Sequence, residues 1–168
     1  MTIRNEYEKA TTLEELKAIY KRLAMKHHPD RGGNVEIMKE VNALYDEYFE
    51  KLKTVHKNKD GKVYTKETNE TAEYYKNIIN ELLKMEGVEI EIIGCFIWLS
   101  GNTKEHKEAI KELGFKWHSK KSMWYLAPKG YRKRYNKKHD YSIDEIRGMY
   151  GTSGKFHGQQ ENENAVVA

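Results

Sequence analysis

Two runs of helical apolar periodicity stand on either side of a proline, and this arrangement turns the first third of the chain into a helical hairpin. Thr12 with Glu15 makes a capping-box pattern, in which hydroxyl and carboxylate each satisfy a free N–H of the first turn. Leu13, Leu16, Tyr20, Leu23 and His27 then recur at spacings of three and four, on one helix face. Pro29 disfavours helical geometry in the residue before it and ends that helix. Arg31-Gly32-Gly33-Asn34 reads as a turn, with Asn34 capping a second helix whose apolar stripe is Val35, Met38, Val41, Leu44, Tyr45, Tyr48 and Leu52. A short loop between two such helices makes them antiparallel.

The period then changes. Residues 57–69 are polar, contain Asp60-Gly61 and read as a linker. A third amphipathic helix is expected over Glu70–Glu86, with Tyr75, Ile78, Ile79, Leu82 and Leu83 apolar and Gly87 as its stop. Val88, Ile90 and Ile92 alternate with Glu89 and Glu91, the pattern of a half-buried strand, and Cys95 to Leu99 follows as a more apolar one. A helix from Thr103 to Gly114, strands over Phe115–His118 and Ser122–Leu126, and a short last helix capped by Ser142 and Glu145 complete a ββαββ order. The fold class is therefore α+β: a helical domain over 1–56, a linker over 57–69, an α+β module over 70–150, and a disordered Gly/Gln/Asn/Glu-rich tail over 151–168.

Composition excludes several classes. One cysteine, Cys95, rules out an internal disulfide and a cysteine-built zinc site. The longest apolar stretch, Ile92–Leu99, is too short to span a bilayer and no charged-then-apolar leader opens the chain, so the expectation is a cytoplasmic protein with no membrane partner. No catalytic constellation is present: Asp144 and Glu145 belong to a helix start, Cys95 has no histidine nearby, and no glycine loop cradles phosphate. The chain is read as a non-enzyme needing no cofactor. His27 and His28, adjacent at a helix end, point apart and are not a metal pair.

The helix before Pro29 presents Arg22 and Lys26 on its outer face, with Lys17 and Lys21 flanking the seam one turn apart. A lysine-rich helix face is ordinarily just solvated; this one would also suit an acidic protein surface. Protonated His28 would favour the negative end of the helix dipole, and Asp30 offers a carboxylate at the tip. His28-Pro29-Asp30, after a helix reading Tyr-Lys-Arg-Leu-Ala-Met-Lys and before one reading Met-Lys-Glu-Val-Asn-Ala-Leu-Tyr, closely resembles the J domain of the DnaJ co-chaperones. Arg31-Gly32-Gly33 and the Met-Lys that follows also resemble the compact J domains of polyomavirus T antigens.

The resemblance implies docking on a DnaK-type heat-shock chaperone and stimulation of its ATPase. Asp30 would engage the ATPase, His28 and Pro29 would hold the loop, and Lys17, Lys21, Arg22 and Lys26 would face acidic chaperone surface. Three departures stand out: the first helix is reduced to Ile3–Ala10 with Tyr7 as its anchor, His27 replaces an aromatic residue, and there is neither a Gly/Phe-rich segment nor any CxxC pair. The last argues against general client folding, so the second module is expected to choose the target.

That second module carries the charge. Gly101 to Lys138 holds 12 Lys/Arg against 3 Asp/Glu, within a chain of net charge +4. Lys104, Lys107, Lys111, Lys116, Lys120, Lys121, Arg132, Lys133 and Arg134 are the candidate contacts to nucleic acid or a nucleoprotein complex, interleaved with aromatics that could stack on bases. Trp98, Phe115 and Trp117 could equally form the core of a small domain. The Lys-Glu-Leu-Gly-Phe-Lys-Trp stretch with the following Met-Trp-Tyr resembles small modules of phage and plasmid DNA-handling proteins, which fits a J protein carried by a mobile element. The alternative function is a nucleic-acid-binding protein whose hairpin is purely structural.

Overall fold

A computed structural model of the chain describes residues 2–58, 60–129, 131 and 140–150. The chain divides into two compact units, Met1–Lys84 and Met85–Ala168, and its architecture is α+β. In the first unit, α1 (Ile3–Glu8), α2 (Leu13–His27), α3 (Val35–Leu52) and α4 (Ala72–Leu83) accompany an antiparallel hairpin of β1 (Val55–Lys57) and β2 (Val63–Thr65).

The sequence places α4 at the head of the second module, and the structure places it in the first unit. Its apolar stripe explains this: Tyr75, Ile79 and Leu82 are fully buried where α4 packs on α2 and α3. The expected linker likewise holds the last residue of β1 and all of β2. His56 fixes the hairpin, with Nδ1 2.9 Å from Glu14 Oε1 on α2 and Nε2 3.0 Å from the Lys66 carbonyl oxygen.

Tyrosines supply the bulk that a short, charged chain lacks in aliphatics. Tyr7, Tyr20, Tyr45 and Tyr75 are buried, and Tyr20, Tyr45 and Tyr75 meet with centroids 4.5 to 5.9 Å apart. A buried phenol needs a partner for its hydroxyl. Tyr7 donates to the Val41 carbonyl at 3.0 Å, Tyr75 to the Lys17 carbonyl at 2.8 Å, and Tyr20 to Asn42 Oδ1 at 3.0 Å. Burial pushes all four phenols above their ordinary pKa and keeps them neutral, although the buried Tyr45 hydroxyl, unlike the other three, finds no hydrogen-bond partner among the described residues.

The second unit is a four-stranded antiparallel sheet in the order β3-β4-β6-β5, from β3 (Val88–Ile93), β4 (Phe96–Gly101), β5 (Lys116–His118) and β6 (Met123–Leu126), with α5 (Lys107–Glu112) and α6 (Ile143–Tyr150). The register puts Ile90 opposite Leu99, Leu99 opposite Trp124, and Trp124 opposite Trp117, so these share one face. On the other face Ile93, Trp98 and Met123 form a cluster against which Ile143 and Ile146 of α6 pack. β3 is therefore buried on both faces rather than half-solvated. Glu91 tolerates this because Arg147 of α6 donates to it twice, each bond 2.7 Å. The helix expected from Thr103 forms regular turns only over Lys107–Glu112. The tail from 151 to 168 lies outside the described residues.

Candidate docking site on the helical hairpin

The site grows out of the end of α2. Thr12 caps that helix by accepting from the Glu15 N–H, and Glu15 reaches back to the Thr11 N–H at 2.8 Å. His28 is the last capped residue, its N–H donating to the Ala24 carbonyl at 2.9 Å, and its backbone is extended, as the residue before a proline must be. Pro29–Arg31 then make one 3-10 turn, closed by the N–H groups of Arg31 and Gly33, both donating to the His28 carbonyl at 3.0 Å. Gly32 takes φ +77°, the left-handed region that favours glycine. Asn34 caps α3 through both the Glu36 and Ile37 N–H groups.

Within this turn the His28 ring acts as a cap, since Nδ1 accepts the Asp30 N–H at 3.2 Å. That role requires an unprotonated Nδ1. Burial holds the His28 pKa below the ordinary imidazole value, against the opposing attraction of Asp30, which favours the neutral ring over the imidazolium that would pair with the helix dipole. The Asp30 carboxylate stays half-exposed at the tip, with Oδ2 3.7 Å from His28 Nδ1. Tripeptide, α3 and α4 together line a cleft of about 250 Å³, whose walls include Val35, Met38, Lys39, Asn42 and Asn80.

The four cations of α2 separate into two pairs. Arg22 and Lys26 are exposed as expected, Arg22 pairing with Glu6 of α1. Lys17 and Lys21 are buried, a correction to their assignment as surface contacts. Lys17 pairs with Glu70 and lies over the Tyr75 ring, its Nζ 5.2 Å from the centroid. A cation enclosed this way is not presented to a partner.

Sequence reasoning missed Asn80 and Lys39. Asn80 lies beside the apolar stripe of α4, and nothing local marks it as facing the tripeptide. The turn also implies a prediction. A Cβ on Gly33 would stand 2.2 Å from the His27 carbonyl carbon and oxygen, which are backbone and cannot rotate aside. Gly33→Ala is expected to destabilise the first unit by about 2 kcal/mol through forced backbone movement, read as a lower denaturation midpoint.

In the second unit, Lys104, Lys107, Lys111, Lys116 and Lys120 are exposed. Lys107 and Lys111 lie one turn apart on α5, whereas Lys116 projects from the sheet face opposite to Trp117. Lys121 is a partial correction: its side chain is only 8% exposed, with Asp140 Oδ1 3.5 Å away. Asp140 also accepts from Lys120 at 2.9 Å, and the two lysines hold its pKa below the ordinary carboxylate value. Arg132, Lys133 and Arg134 lie outside the described residues. Trp98 and Phe115 are core residues, but Trp117 on the edge strand is 49% exposed.

Among known proteins, the chain is 49% identical over 39 residues to the small t antigen of budgerigar fledgling disease virus, a stretch covering 23% of this chain and 27% of that protein. The large T antigen of the same virus matches at 49% over 39 residues, which is 7% of its length. The matched stretch thus spans only a small part of either relative. No family model matches, and no solved structure does. Both relatives are T antigens, the class whose compact J domains the hairpin turn resembles, and the similarity supports reading a J domain in this chain.

Proposed function

We propose that the first unit is a J domain that docks on a DnaK-type chaperone and stimulates its ATP hydrolysis, while the second unit directs the chaperone to a target. One observation carries this reading: Asp30 stands half-exposed at the tip of a turn that His28 and Pro29 hold rigidly between two antiparallel helices. Arg22 and Lys26 on the exposed side of α2 supply the flanking positive charge. In this reading ATP hydrolysis belongs to the partner. The test is steady-state ATP turnover of a DnaK-type chaperone with the wild-type chain, Asp30→Asn and His28→Gln. No stimulation by the wild type sinks the proposal, and binding without stimulation would indicate a protein that titrates the chaperone.

Trp117 favours a second activity. An indole left half in water on an edge strand, in a segment rich in exposed lysines, suits stacking on unpaired bases with phosphates neutralised nearby. The full chain should then bind single-stranded DNA in a salt-sensitive manner, quenching tryptophan fluorescence, and Trp117→Ala should weaken binding roughly tenfold. Salt-insensitive or undetectable binding removes this activity.

A further inference from the structure

The His28 ring has two nitrogens, and the turn described above uses one of them. Nδ1 accepts the Asp30 N–H, so in the neutral ring the proton sits on Nε2. That proton needs an acceptor in a half-buried place. The structure offers Asn80: its side chain lines the same cleft, its Oδ1 is buried, and among the described residues that oxygen has no hydrogen-bond partner. The carboxamide stands near enough to the imidazole to favour its protonated form, partly offsetting burial. Asp30 acts in the same sense, and Arg31 and Lys84 oppose it.

We propose that Asn80 is a positioning residue for the tripeptide, its carboxamide oxygen receiving the His28 Nε2 proton and thereby keeping Nδ1 available to cap Asp30. The inference rests on the docking reading for its purpose but not for its geometry. Helix α4, which the sequence assigns to another module, becomes the back wall of the docking loop. Because the carboxamide is neutral, it favours the protonated ring less than a charged acceptor would. A carboxylate in its place would favour the imidazolium, whose Nδ1–H would confront the Asp30 N–H donor to donor.

Imidazole nitrogen chemical shifts of the full 15N-labelled chain, followed through the histidine titration, test this directly. In the wild type, the Nε2–H tautomer of His28 should dominate. Asn80→Leu should move population to the Nδ1–H tautomer and shift the Asp30 amide resonance. Asn80→Asp should raise the His28 titration midpoint by about one pH unit, as expected for a nearby opposite charge. The Tyr7 and Val41 amides report that each variant is folded, and if Asn80→Leu fails that check, Asn80→Asp decides alone. With a DnaK-type chaperone, Asn80→Leu should require about threefold more protein for half-maximal stimulation, the worth of one ordinary hydrogen bond. Wild-type tautomer and midpoint in both variants overturn the proposal. Absence of any wild-type stimulation would remove the docking reading and leave the imidazole measurement to decide the role of Asn80.

Discussion

Asp30→Asn is expected to reduce stimulation of a DnaK-type ATPase at least tenfold while leaving the denaturation midpoint of the chain unchanged. The two halves of that expectation come from different atoms. The fold uses the Asp30 backbone, whose N–H is held by His28 Nδ1 at 3.2 Å, and asparagine keeps that N–H. A docked partner would use the carboxylate, which is half-exposed and 3.7 Å from the ring at its nearest oxygen. Losing one charge from a charge-assisted contact that desolvates on docking costs about 2 kcal/mol or more, enough for the tenfold effect. His28→Gln separates the two roles in the other direction, because it removes the cap on the Asp30 backbone and leaves the carboxylate in place. It should lower stimulation and also lower stability by about 1 kcal/mol, the usual worth of a side-chain cap. Equal stimulation by wild type and Asp30→Asn would show that the tip carboxylate is not what the partner reads.

Much of the hairpin was legible because its determinants are local. The caps Thr12, Asn34 and Ser142 and the three-and-four spacing of Leu13, Leu16 and Tyr20 act within a turn or two of the chain, and the structure has them as the sequence implies. What was not legible depends on partners far along the chain. On a helical wheel Lys17 and Lys21 fall beside the seam, and only the arrival of α4, with Glu70 and Tyr75, encloses Lys17. Glu89 and Glu91 alternate with apolar residues as on a half-solvated strand, yet Glu91 is covered by Arg147, 56 positions away. The β1–β2 hairpin is not legible because its strands are three residues long and its ties to α2, His56 to Glu14 and Lys57 to Glu15, each reach across 42 positions. The tripeptide itself was found from sequence, but its cleft was not, since Asn80 reaches it only through the packing of α4.

The packing of α4 should hinge on the ion pair at its start. Lys17 and Glu70 are 6% and 8% exposed, and their pairing offsets much of the cost of burying both charges. Removing either partner leaves a buried charge without its counter-ion, so Glu70→Leu and Lys17→Met should each destabilise the first unit by about 4 kcal/mol. That is a large part of the roughly 5–15 kcal/mol by which domains are ordinarily stable. The double variant should behave differently: two apolar side chains of similar volume in place of a buried pair are often neutral or stabilising. Its denaturant midpoint should therefore return to within about 1 kcal/mol of the wild type, a strong coupling between contacting sites. Single variants that each cost under about 1 kcal/mol would mean that water reaches the pair and that α4 is held without it. If the proposal for Asn80 is right, the singles should also disturb His28, because loosening α4 from α2 withdraws the carboxamide from the cleft. In the double variant both stability and the His28 tautomer should recover together, since a repacked α4 carries Asn80 back to the ring.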